Sequence, residues 1–293
     1  MFGEKEETVR VLVGCAPCQP FSTLNIKQVA ENQLEPLEKF ACLVRETLPD
    51  IVFMENVSGL ANTEKYPIFK TFIDTLKENN YNFNKDKKYE IIDVSDYGIP
   101  QSRKRLVLLA SRLGEIQLTK RTHKDKKVTV RDVIKDLEPI AAGEISKSDP
   151  LHRASKLSSK NLKRIKSTQH DGGNFRDWEE DLILDCHKKE SGKTYRCTVY
   201  GRMRWDAPAP TMTTQCVGLG NGRFGHPEQD RAISLREAAI FQTFPRDYKF
   251  SDPSKAVVVR HIAKFIGNAV PVELGSVIGK SIINHLEQYA IHI

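Results

Sequence analysis

The chain has 293 residues, 39% hydrophobic and 28% charged, which suits a globular protein of about two domains; no apolar run approaches the roughly 20 residues of a membrane span. The opening "MFGEKEETVR" lacks the apolar core of a secretory signal, so a cytoplasmic protein is expected, with its six cysteines reduced rather than paired. The net charge of +7 is uneven: residues 113–234 hold 23 Lys+Arg and 17 Asp+Glu, net +6, and the remainder hold 22 and 21, net +1. That excess fits a polyanionic partner such as nucleic acid, and fits a solvated surface about as well.

In chain order, Val9 to Val13 is apolar and mostly β-branched, ends at Gly14, and reads as a buried strand. Leu37, Phe40, Ala41, Val44 and Leu48 recur at helical spacing, and Pro49 closes that helix. "DIVFMENV" gives a second strand, Ile51 to Met54, with Glu55 at its carboxyl end. Ile68, Phe72, Ile73 and Leu76 mark a helix; "YEIIDV" and "RLVLLA" (Arg105 to Ala110) mark two more strands. The alternation predicts parallel βαβ units in an α/β sheet covered on both faces. From Leu113 the periodicity fades, and residues 113–234 read as an inserted domain. Within it Arg153, Lys156, Lys160 and Lys163 fall at helical spacing in an acid-free run, "RASKLSSKNLKRIK", and could line a phosphate backbone or a solvated face. Ser234 and Glu237 form a capping box that opens a helix. The remaining segment reads as two helices broken near Gly267 and Pro271.

Three readings of Cys18 compete. With Cys15 it forms C-x-x-C, the spacing of a redox dithiol or of half a zinc site. No second close cysteine pair completes a zinc site, so no metal is expected. Alternatively, Cys18 is a lone nucleophile just past a strand end, where parallel α/β sheets collect their chemistry. Glu55, at another strand end, could then act as a proton donor. Arg103 and Arg105 fall on one side of an extended segment, and such a pair holds carboxylates, phosphates or carbonyl oxygens. "GNGRFG", Gly220 to Gly225, matches G-x-G-x-x-G but is followed by His226-Pro227 rather than a helix, so it reads as a glycine-rich loop.

Together these segments resemble the cytosine-C5 DNA methyltransferases. "GCAPCQPFS" looks like that family's Pro-Cys-Gln nucleophile loop, "ENV" at 55–57 like its Glu-Asn-Val motif, and "QSRKRLVLLA" like its Gln-x-Arg-x-Arg segment. "RWDAPAPTMTT", "HPEQDRAISLREAAIFQTFP" and "IGNAVPVELG" resemble later motifs, in the family's order. The resemblance runs from about Val11 to Ile283 and leaves only the insert, about 113–200, without a sharp counterpart.

The resemblance implies a partial Rossmann-like methyltransferase sheet with an inserted target-recognition domain. The expected limits are 1–112 for the first, N-terminally incomplete part of the catalytic domain, 113–234 for recognition, and 235–293 for helices returning to the catalytic domain. It implies Cys18 as nucleophile, with Glu55, Arg103 and Arg105 around the base. Pro17, Asn268 and Ala269 would border S-adenosylmethionine. Gln19, Ser22, Arg153, Lys156, Lys160 and Lys163 would meet double-stranded DNA. The reaction would be methyl transfer to C5 of a flipped cytosine in a restriction-modification system. One departure is large: only 17 residues precede Cys18, and none forms the family's glycine-rich cofactor loop. A split enzyme with a second polypeptide, a truncated gene or a fragment is therefore expected. The alternatives are a DNA-binding remnant that cannot methylate, a tRNA cytosine-5 methyltransferase, and the redox dithiol.

Overall fold

The computed structural model describes residues 8–16, 35–188, 199–252 and 254–289. They gather into two compact units. The first comprises residues up to Asp93, Lys104–Arg121 and the chain from Ser276; the second comprises Val94–Arg103 and Thr122–Gly275.

The first unit is built on a four-stranded sheet. Its strands are β1 (Val11–Gly14), β2 (Ile51–Val57), β3 (Glu90–Asp93) and β4 (Lys104–Ser111), in the order β1-β2-β4-β3. β1 and β2 run parallel, joined through α1 (Glu35–Thr47), whereas β4 is antiparallel to both β2 and β3. The all-parallel expectation is therefore corrected to a mixed sheet. The cause is local: the connection from β3 to β4 spans only residues 94–103 and contains no crossover helix, and a parallel return needs a dozen or more residues.

α1 and α2 (Pro67–Glu78) are amphipathic and lay Leu37, Phe40, Val44, Phe69, Phe72 and Leu76 against Val52, Met54, Leu106 and Leu108. Each such side chain, once buried, contributes on the order of 1.5–3 kcal/mol. Period-two alternation turns Phe53, Glu55, Val107 and Leu109 to the opposite face of the sheet.

The second unit has little regular structure. It holds α3 (Val130–Ile134), α4 (Ser159–Ser167), α5 (Asp185–Lys188), α6 (Leu235–Phe241) and α7 (Val259–Asn268), joined by loops and isolated bridges. α8 (Val272–Gln288) follows Pro271. The Ser234–Glu237 capping box forms as expected: the Ser234 side chain accepts from the Glu237 backbone, and the Glu237 carboxylate accepts from the Ser234 backbone.

The core of this unit joins Val130, Ile134 and Leu151 with Met203, Met212 and Phe224, and with Leu235, Ala238 and Phe241 of α6 and Ile262 and Ile266 of α7. α6 and α7 thus pack with residues that precede 234, so the compact units do not divide at 112 and 234. Beneath this core lies an ionic cluster. Arg231 donates both terminal nitrogens to Glu237, each at 2.7 Å, and neither side chain is exposed.

Candidate active site

In the first unit, Glu55 and Arg105 are diagonal neighbours on one face of the β2–β4 ladder, because Glu55 lies opposite Val107 and Val57 opposite Arg105. Arg105 Nε stands 2.6 Å from Glu55 Oε1, with both side chains about nine-tenths buried. The neighbouring Asn56 points to the other face; its Nδ2 donates to the Ala16 carbonyl at 3.2 Å and its Oδ1 accepts from the Val57 N–H. Asn56 therefore ties the end of β2 to the segment that leaves β1. Sequence reading named Asn56 only as part of a motif and missed this role.

Cys15 keeps exposed surface, yet partial desolvation and then the Glu55 carboxylate push its thiol up to about 11, against a backbone hydrogen bond from Glu55. A thiol so protonated is a poor nucleophile and a poor redox partner at neutral pH. Pro17, Cys18, Gln19 and Ser22 lie outside the described residues.

In the second unit, Arg103 has a different surrounding from the one expected. It precedes β4, and its guanidinium donates to the carbonyls of Met212 at 2.7 Å and Gly267 at 3.2 Å. Gln101, fully buried, accepts from the Met212 N–H and donates to Phe241 O and Gln242 Oε1. Gln242 in turn donates to the carbonyls of Ile266 and Ala269. These three side chains knot the "PTMTT" segment to the end of α7. Gly267 makes the close approach possible: a Cβ there would sit 2.2–2.4 Å from the Thr213–Thr214 backbone. Asn268, the last residue of α7, is exposed, and Ala269 caps that helix. The pairing of Arg103 with Arg105 was drawn from alternation along one segment; partners more than a hundred residues away decide the outcome instead.

The basic run is only partly helical. Lys160 and Lys163 lie on α4 and are exposed, as is Lys166, whereas Arg153 and Lys156 precede the helix. The expected four-residue stripe is corrected accordingly. Ser158 caps α4 by accepting from the Asn161 N–H, and that cap fixes where the helix begins. Arg153 is half-buried and donates to Val257 O at 3.4 Å, so it braces the fold rather than facing outward. Among the described residues no cluster of three His, Cys, Asp or Glu forms a metal-binding group.

Residues 4–284 match the profile of a family described as C-5 cytosine-specific DNA methylase. The chain is 49% identical over 281 residues to the type II methylase M.HgiDII of Herpetosiphon aurantiacus, covering 95% of this chain and 77% of that protein. It is 30% identical over 295 residues to the type II methyltransferase M.Eco47II of Escherichia coli, covering 98% of this chain and 66% of that protein. Among solved structures, a DNA modification methyltransferase encoded within an E. coli prophage shares the fold at a TM-score of 0.64 and 19% identity, over 95% of this chain and 79% of that one. The Entamoeba histolytica methyltransferase EhMeth does so at a TM-score of 0.59 and 15% identity, over 94% and 78%. At such identities the two structures speak to the fold alone.

Proposed function

Because the chain belongs to the C-5 cytosine-specific DNA methylase family, we propose that it methylates C5 of a cytosine flipped out of double-stranded DNA, as the modification arm of a restriction-modification system. The observation that carries the reading is the buried Glu55–Arg105 pair at the carboxyl end of β2, beside the segment that leads to Cys18.

C5 of cytosine is a weak nucleophile, and Cys18 is the residue that activates it. Its thiolate adds to C6, and the ring electrons move towards C5 and N3. Glu55 meets N3 with a proton, and Arg105 holds the O2 edge, where negative charge accumulates. Arg103 is committed to two backbone carbonyls and fixes the turn at Gly267. Once C5 carries the methyl group, removal of the C5 proton returns the electron pair and expels the Cys18 thiolate.

S-adenosylmethionine supplies the methyl group when bound. Asn268 and Ala269 would hold it, together with Pro17, which lies outside the described residues. Asn268 fits that duty, since it is exposed on a turn pinned by Arg103 and Gln242 and its side chain makes no hydrogen bond among the described residues. The lysines of α4 and Lys156 would grip phosphates, joined by Gln19 and Ser22. We assign the chemistry of Glu55 and Arg105 to the first unit, DNA recognition and the cofactor contacts of Asn268 and Ala269 to the second, and a cytoplasmic location to the whole. β1 leaves Val11 and Val13 exposed at one edge of the sheet, a seat for a strand from a second polypeptide carrying a glycine-rich cofactor loop.

The test is transfer of a labelled methyl group from S-adenosylmethionine to DNA, with a loop-bearing polypeptide supplied where the chain alone is inactive. Cys18→Ser abolishes transfer and leaves DNA binding intact, whereas Cys15→Ser is mild. Equal damage from the two substitutions would instead revive a dithiol.

A further inference from the structure

Most arginines of the second unit are tied down. Arg131 pairs with Asp206, Arg202 with Asp230 and Arg236 with Asp149, while Arg164 and Arg223 donate to backbone carbonyls. Arg204 differs. It is exposed, and its guanidinium has no ion pair or hydrogen bond among the described residues.

The backbone that carries Arg204 is nonetheless held from several sides. The N–H of Arg202 donates to Gly173 O at 3.0 Å, and that of Met203 to Gly225 O at 2.8 Å. The N–H of Trp205 donates to Asp171 Oδ1 at 2.6 Å, and its carbonyl accepts from the Arg131 N–H at 2.9 Å. The side-chain stem is placed as well. Gly172, at φ +107°, sits beneath it, and a Cβ there would meet Arg204 Cγ at 2.7 Å and Nε at 2.8 Å. Only glycine both adopts this backbone and leaves room for the stem. An unpaired guanidinium on a fixed backbone, with its root in a defined slot, is preorganised to donate to something outside the chain.

The surrounding charge narrows what that is. Around Arg204, Arg131 is paired with Asp206, Asp171 accepts from the Trp205 N–H, and Arg223 donates to Gly172 O, so this tip mixes acids with its arginines. It contrasts with α4, whose Lys160, Lys163 and Lys166 stand without an acid in the helix. A tip of mixed charge attracts phosphates less than an all-basic face, whereas a planar donor fork matches the O6 and N7 acceptors of guanine.

We propose that Arg204 is a specificity-determining residue that reads a guanine in the major groove of the target site, and that Gly172 keeps its side chain aimed. The inference rests on the reading of the chain as a DNA methyltransferase and names which residue reads the sequence.

The experiment is selection of bound duplexes from a randomised DNA pool by the purified chain, followed by affinity and salt titrations on the selected site. The wild-type chain enriches a defined site. Arg204→Gln and Arg204→Lys each flatten one G·C position of it, lowering discrimination there about 10- to 100-fold. The other positions and the thermal unfolding midpoint stay unchanged, as expected for an exposed side chain. Arg204→Lys keeps the salt dependence of binding, because it retains the charge and loses only the fork. Lys160→Ala serves as the contrast and weakens all sequences alike.

An unaltered site in the Arg204 variants would overturn the proposal. So would uniform weakening with a shallower salt dependence, the mark of a phosphate contact, or wild-type binding with no enriched site at all. If the wild-type chain does not bind DNA, the broader reading fails, and this assignment falls with it.

Discussion

Arg105 and Glu55 meet at 2.6 Å across the β2–β4 ladder, with about a tenth of each side chain exposed. A buried pair of this kind adds little against an apolar pair of the same shape, but breaking it from one side is costly. Arg105→Met should therefore destabilise the fold by about 3–5 kcal/mol, and the double variant Arg105→Met/Glu55→Leu should recover most of that loss. Chemical denaturation of the four proteins in the cycle measures it. Activity should behave differently: Glu55→Gln lowers the rate of methyl transfer about 10²- to 10⁴-fold, the usual range for a lost proton donor. The double variant, stable again, remains inactive. Recovery of activity along with stability would place the pair outside the chemistry.

Stability should fall as the solution is acidified, through the cluster around Glu237. Burial alone would raise the Glu237 carboxyl, but the hydrogen bonds and charge of Arg231 overcome it and hold the group at about 2. Burial pushes the neighbouring His226 down to about 3 from its ordinary 6.5. Its Nδ1 accepts from the backbone N–H groups of Glu228 and Gln229, which fixes the neutral ring. For both groups the unfolded chain binds protons that the native state refuses, so stability decreases as pH decreases. The His226 contribution begins near pH 6.5 and is complete near 3; that of Glu237 runs from its ordinary 4.5 down to about 2. Urea titrations from pH 7.5 to 4 should show the decline. His226→Gln should flatten it between about pH 6.5 and 4.5, and an unchanged slope in that variant would assign the decline to other groups.

The elements that sequence periodicity captured are those whose partners lie close in the chain. α1 and α2 each present one apolar face, and the Ser234–Glu237 box is complete within four residues. Strand direction was not legible, since the antiparallel entry of β4 follows from the short connection after β3, which has one 3-10 turn and no crossover α-helix, a length effect that alternation of apolar residues does not encode. Arg103 was legible as a residue that needs acceptors, but not which ones: Met212 and Gly267 are 109 and 164 residues away. Likewise Lys156 shares the periodicity of Lys160 and Lys163, but the Ser158 cap starts the helix after it. Arg204 was legible only as the first residue of "RWDAPAPTMTT"; its preorganisation was not, because it is made by Gly172 and Asp171.

The exposed lysines give a prediction that separates grip from bracing. Log affinity for DNA should fall linearly with log salt, by about 0.9 per phosphate neutralised. Changing Lys160, Lys163 and Lys166 to Ala together should shallow that slope by up to about three phosphate equivalents. Arg153→Ala should instead lower the unfolding midpoint, because its guanidinium donates to Val257 O and its side chain is half-buried. A slope unchanged by the triple substitution would make that face of α4 a solvated surface.

The edge of the sheet yields the last prediction. β1 pairs only with β2 in the described sheet, and Val11 and Val13 are 40% and 58% exposed. An apolar edge with free backbone donors and acceptors either accepts another strand or aggregates. Asn268 and Ala269 can border only one side of a small ligand, whereas ligand sites ordinarily enclose most of the ligand surface. We therefore expect calorimetry with S-adenosylhomocysteine to show weak or no binding by the purified chain. Methyl transfer should appear when a polypeptide bearing a glycine-rich loop and an edge strand is added. Val13→Lys, which places a charge on that edge, should block complementation without changing the salt dependence that the α4 lysines give to DNA binding, since those lysines belong to the other unit. Micromolar cofactor affinity together with turnover by the chain alone would overturn the expectation. It would mean that Val11 and Val13 are simply an exposed edge, and that the cofactor site is closed by residues other than a partner's.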